Sequence, residues 1–172
     1  SELVSLEAIG LIAENLRTCV HDGANREARE KMLLGSLYAG LGLANAGVTA
    51  VHSLSYPLGG KYGIPHGLAN TIMLPPVMAF NLPGALEKFT LIAEVMGEET
   101  EGLPLREAAF LALEAVEALI EDCGIDSRLD NFGITEADFP ALADAAMTVA
   151  RPLENNPRKL TREDAIDIYG QA

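Results

Sequence analysis

NAGVTAVHSLSYPLGGKYGIPHGLAN, residues 45–70, places His52 and His66, two of the chain's three histidines, on either side of a glycine-rich turn. Pro57 is expected to end one helix, and Gly59, Gly60 and Gly63 permit a sharp reversal. Pro65 suits the first position of a new helix, which puts His66 in its first turn. A helix, a glycine turn and a second helix can bring two imidazoles to one point. Two histidines alone fall short of the three or four ligands of a protein metal site. From the residues themselves, a hydrogen-bonded core histidine and a metal ligand both stay open for His52.

Outward from this stretch, Met32 to Leu86 holds one charged side chain, Lys61, in a chain that is 22% charged. Such a segment is expected to be buried, with residues 32–52 as a central helix. Asn45, Thr49, His52 and Tyr56 recur at helical spacing and predict one polar stripe lining a cleft. Residues 32–52 are long enough to cross a bilayer and carry Gly35, Gly40, Gly42 and Gly47. Asn45, Thr49 and His52 crowd one half of that segment, and no aromatic belt or basic loop flanks it, so no membrane span is expected.

The 172 residues suit one compact domain. Cys19 and Cys123 match no zinc or redox spacing, so reduced, buried thiols in a cytoplasmic setting are expected. A net charge of -13 argues against nucleic acid as a partner, which needs clustered Lys and Arg. The opening, SELVSLEAIGLIAENL, is acidic and lacks a secretory leader pattern.

Helical periodicity dominates. Leu3, Leu6, Ile9, Ile12 and Leu16 mark a first helix, broken at Asp22–Asn25. A second is expected from Arg26 to about Tyr56, and a third from Pro65 to about Asn81. Residues 85–96 and 104–122 read as amphipathic helices stopped by Gly97 and Gly124. Thr135 with Asp138, and Thr161 with Asp164, have capping-box spacing and predict two short helices. Alternating β-branched runs are absent, so the fold class is all-α. There is no GxGxxG or GxxxxGK phosphate loop, no HExxH, and no Glu-x-x-His beside either site histidine. His21 is expected at the surface, and Arg158 in a structural role.

HSLSYPLGGKYGIPHGLAN, residues 52–70, resembles the signature of the iron-dependent, group III alcohol dehydrogenases: a His followed by PLGG, then PHG and an Asn. REAREKMLLGSLYAGLGLANAGV (26–48) resembles the helix that precedes it, and NNPRKLTREDAIDIY (155–169) the family's closing segment. The resemblance implies a helical bundle of the dehydroquinate synthase-like architecture, forming the C-terminal part of a longer two-domain enzyme. The N-terminal nucleotide-binding domain, which would hold NAD or NADP, is not among these residues.

The resemblance also implies a divalent metal, Fe2+ or alternatively Zn2+, held by an Asp and three His. His52 and His66 correspond to the last two ligands; the first two, an Asp and a His four residues apart, are expected on a helix just before Ser1, with about 200 residues upstream carrying the dinucleotide domain. The metal would act as a Lewis acid on a small alcohol or carbonyl substrate, with hydride exchanged with the nicotinamide. Tyr56 stands where many relatives have His, so it is expected to line the pocket rather than relay protons near neutral pH. A homo-oligomeric full-length enzyme is implied, with this chain alone inactive. The alternative is a non-catalytic helical interaction or scaffold protein derived from such an enzyme.

Overall fold

The computed structural model describes residues 2–172 and is helical, with no strand among the described residues. Among the described residues nine α-helices follow in order: α1 Glu2–His21, α2 Arg26–Ala46, α3 Ala50–Tyr62, α4 His66–Asn81, α5 Leu86–Val95, α6 Leu105–Asp122, α7 Phe139–Met147, α8 Ala150–Glu154 and α9 Arg162–Gln171. They group into two compact units. One contains the chain up to Gly47 together with Ala85–Gly124; the other contains Val48–Gly84 and Ile125–Ala172.

In the first unit α1 packs along α2, and α5 along α6. The α1–α2 contact runs through small residues: a Cβ on Gly42 would stand 2.5 Å from Ser5 Oγ, and one on Gly35 would stand 3.0 Å from Ile12 Cγ1. Two of the four glycines in residues 32–52, Gly35 and Gly42, are therefore close-approach points between two helices, whereas a Cβ on Gly40 would meet nothing within 4 Å. No single described helix is long and apolar enough to cross a membrane. The expected burial of α2 is not observed, since Leu33 is 73% and Leu37 59% exposed. Its buried positions are only Ala28, Gly35 and Gly42, the side that meets α1. Absence of charge marked an apolar helix, but not one covered on all sides.

The second unit is built on α3, α4, α7 and α9, whose inward faces bury Leu54, Leu58, Ile72, Met73, Leu142, Ile168 and Tyr169. Tyr169 is fully buried and donates its hydroxyl to Leu54 O at 2.7 Å, which satisfies the polar end of an otherwise apolar side chain. Asn81 and Asn156 exchange two amide hydrogen bonds, of 2.9 and 2.7 Å. The Arg158 guanidinium lies 4.1 Å from the Phe80 ring centre and donates to Phe80 O, the structural role expected of it.

The helix expected from Arg26 to Tyr56 is two helices. Gly47, at φ 77°, closes α2 with its N–H on Leu43 O, and Thr49 in extended backbone opens α3. The break finds partners within the second unit: Val48 O accepts from Asn155 Nδ2, and Ala50 N donates to Asn156 Oδ1. Pro57 does not end a helix either. It lies inside α3, which runs on to Tyr62 and is closed by Gly63 at φ 69°. A proline in a helix interior costs about 3 kcal/mol. Leu54 and Leu58, on one face of α3 across Pro57, are both fully buried, and each such side chain contributes roughly 1.5–3 kcal/mol. Burial on both sides of the proline outweighs its cost.

The capping boxes at Thr135/Asp138 and Thr161/Asp164 are both formed. The first opens the 3-10 turn Glu136–Asp138 that leads into α7, and the second opens α9. Helix α8 has no counterpart in the sequence reading. Cys19 and Cys123 are free thiols, partly rather than fully buried.

Candidate metal centre

His52 lies in the first turn of α3 and His66 opens α4. Gly63 and the buried Ile64 make the reversal between them, and α3 and α4 pack together behind it. The helix, turn and helix bring the two imidazoles to a centroid separation of 5.3 Å with their planes 59° apart. Tyr56, one turn after His52, lies 5.9 Å from His66 in a stacked arrangement only 17° from parallel, and meets His52 edge-on at 6.1 Å. Three rings thus form one cluster, as the spacing of His52, Tyr56 and His66 suggested.

The rest of the predicted stripe does not join them. Asn45 falls on α2, in the other unit, where its side chain bonds back to Leu41 O at 2.7 Å. Thr49 is the N-cap of α3 and makes no side-chain capping bond. The break at Gly47 separates Asn45 from His52, whereas Thr49 lies on the His52 side of it, its carbonyl accepting from His52 N at 3.0 Å. Two residues that the stripe did not include take their place. Asn70 Nδ2 is 3.1 Å from His66 Nε2 and 3.5 Å from His52 Nε2. Ser55 Oγ is 2.6 Å from Asn70 Oδ1. Helical spacing carried this signal, because Asn70 lies one turn beyond His66 and Ser55 three residues beyond His52.

Burial first, and the neighbouring His66 ring second, push His52 below the ordinary imidazole pKa. Its ring is accordingly held neutral, the form that offers a lone pair to a cation. With both Nε2 atoms turned to one place, the donors suit a borderline or transition-metal cation. Their number is two. Among the described residues no group of three or more His, Cys, Asp or Glu comes together in a metal-holding arrangement. The residues present fit part of a metal centre. His21 stands apart, exposed, with Nε2 3.1 Å from Asp122 O.

An all-α scaffold that presents two histidines together at a glycine-rich turn is the class of protein that fold and site define. The chain belongs to the Fe-containing alcohol dehydrogenase family: the model of that family's C-terminal region matches residues 1–172. Among relatives, it is 43% identical over all 172 residues to 1,3-propanediol dehydrogenase of Citrobacter freundii and 42% identical to lactaldehyde reductase of Escherichia coli strain K12. In both cases it spans 44% of the relative's length. A crystal structure of a 1,3-propanediol oxidoreductase superposes with a TM-score of 0.95 at 41% identity, over 98% of this chain and 44% of that one. The helical architecture expected from the resemblance is thereby borne out.

Proposed function

We propose that this chain is the helical, metal-carrying portion of an NAD(P)-dependent dehydrogenase that interconverts a small alcohol with its aldehyde or ketone. One observation carries the reading: in a chain of this family, His52 and His66 converge on one point, with Asn70 Nδ2 within hydrogen-bond reach of both Nε2 atoms. They would supply two of four ligands to a divalent metal, iron first and zinc second. An Asp and a third His would come from the remainder of the protein, as would the dinucleotide site. The chain covers less than half the length of the relatives it matches, which leaves room for both.

When bound, the metal would make an alcohol hydroxyl acidic near neutral pH and polarise a carbonyl in the reverse direction. The chain's own contribution is positional. Partial burial keeps His52 neutral, and Tyr56 fixes the plane of His66 by stacking. Tyr56 is 43% exposed, so it also offers an aromatic wall to a substrate carbon chain. The 1,3-propanediol and lactaldehyde named for the relatives place small, oxygen-rich substrates first for testing. A cytoplasmic, homo-oligomeric enzyme is the setting this reading carries.

The test pairs two proteins. The 172-residue chain should bind Fe2+ or Zn2+ weakly and reduce no NAD(P)+. The full-length protein should bind one metal per chain and oxidise at least one small alcohol. A tight, stoichiometric metal complex of the 172-residue chain would contradict the half-site. Full activity of the whole protein after His52→Ala would contradict the ligand assignment.

A further inference from the structure

Asn70 is placed at the two nitrogens that the proposed ligands would turn towards a metal. Its Nδ2 lies 3.1 Å from Nε2 of His66 and 3.5 Å from Nε2 of His52, the first contact being the closer. An amide nitrogen carries two hydrogens and no usable lone pair, so it only donates. Each ring nitrogen facing it must then accept, which puts the ring proton on Nδ1. Ser55 sets which end of the amide faces the rings. Ser55 is 1% exposed, and its hydroxyl reaches Asn70 Oδ1 at 2.6 Å, against 3.1 Å to His52 O. With one hydrogen to give, the hydroxyl favours the shorter bond, and the amide's oxygen is thereby turned away from the imidazoles.

We propose that Asn70 is a positioning residue that stands in for the metal. Oriented by Ser55, it holds His52 and His66 with Nε2 unprotonated and converged, and it yields that place when a cation binds. This rests on the reading of His52 and His66 as metal ligands. The device spares the site a tautomer change on metal uptake. It also explains why two imidazoles can sit 5.3 Å apart with their lone pairs directed at one place. An Asn at position 70 gives donors there, whereas Asp would give a third ligand, through a carboxylate oxygen.

Nitrogen-15 NMR of the 172-residue chain with labelled histidine, metal-free and at about pH 8, above the ordinary imidazole range, reads the tautomers directly. His52 and His66 should both carry the proton on Nδ1. His21 serves as the internal contrast, because its Nε2 faces a carbonyl oxygen and must donate. In Asn70→Ala the His66 signal should shift towards the Nε2–H form. Ser55→Ala, which frees the amide without touching the rings, should cause the same shift if Asn70→Ala does not fold. Zn2+ titration should find Asn70→Asp binding at least ~10-fold tighter than the parent, the scale on which metal-site partners act.

Nε2–H on both rings of the parent would mean the amide is turned round, with Ser55 donating to His52 O, and would overturn the role of Asn70. An unchanged His66 tautomer in a folded Asn70→Ala variant would overturn it as well. Expected tautomers with no Zn2+ uptake by either the parent or Asn70→Asp would instead overturn the metal reading on which the proposal rests.

Discussion

Tyr56 and His66 lie in a stacked arrangement, their rings 17° from parallel with centroids 5.9 Å apart, although one belongs to α3 and the other to α4. Stacking of this kind is worth about 0.5–1.5 kcal/mol beyond area burial. Tyr56→Phe keeps the ring and should leave metal affinity of the protein nearly unchanged. Tyr56→Ala removes it and should weaken Zn2+ binding roughly 2- to 10-fold. Isothermal titration of the three chains checks both; equal affinity of all three would remove Tyr56 from any positioning role.

His66 is exposed, whereas His52 is partly buried beside the fully buried Ser53 and Leu54. His66→Ala should therefore abolish metal uptake while changing unfolding free energy by no more than about 0.5 kcal/mol, the ordinary range of surface substitutions. His52→Ala should abolish uptake and cost more stability. Elemental analysis and urea unfolding, run on the same preparations, separate the two effects.

Gly42 tests the contact between α1 and α2. An added Cβ would meet Ser5 Oγ at 2.5 Å but Ser5 Cβ at only 3.7 Å, so the conflict is with the hydroxyl alone. Gly42→Ala should be neutral or destabilising by itself. In a Ser5→Ala background it should become stabilising by roughly 0.5–1 kcal/mol, the helix preference of Ala over Gly. A double-mutant cycle that shows additivity would argue against this close approach.

Tyr169 carries the alkaline limit of the second unit. Burial pushes its phenol well above the ordinary tyrosine value. A group whose pKa is raised in the folded state contributes stability that is fully present below its unfolded value, about 10. That contribution is lost as pH rises through the folded value. Tyr169→Phe should flatten the fall in stability above about pH 10, and should cost about 1 kcal/mol at neutral pH for the bond to Leu54 O. Unfolding midpoints measured across the alkaline range check both.

Asp138 sets an acid limit of opposite sign. The Tyr62 hydroxyl at 2.6 Å, the Thr135 backbone N–H and Lys61 hold its carboxyl well below the usual range. A depressed pKa contributes stability that is present above the unfolded value of about 3.9, and that is lost as pH falls towards the folded value. Asp138→Asn should reduce the acid dependence below about pH 4 without altering the alkaline limb. An unchanged acid profile would mean the three contacts do not persist in solution.

Much of this was legible in local sequence. The DGAN break, the stops at Gly97 and Gly124, and both Thr–Asp boxes fell where backbone chemistry put them, because capping and positive φ act within one turn of the chain. The extent of α3 was not legible. Pro57 is a strong local breaker, overruled by burial of Leu54 and Leu58 among residues far along the chain. Helix periodicity continued through Gly47, and the partners that stabilise a break there, Asn155 and Asn156, lie more than a hundred residues later.

The sequence by itself determined the all-α class, the family, and the placing of His52, Tyr56 and His66 around a reversal, since each depends on residue type and short-range spacing. Only the tertiary structure decided which polar groups complete that cluster. Asn45 had the right period and fell away when the helix broke, and Thr49 became the N-cap of α3; Ser55 and Asn70 entered because the packing of α3 on α4 set one hydroxyl 2.6 Å from one amide oxygen. Periodicity reports which side chains share a face of one helix. Which faces of two helices meet depends on burial summed over the whole unit, and that sum is not written in any single segment.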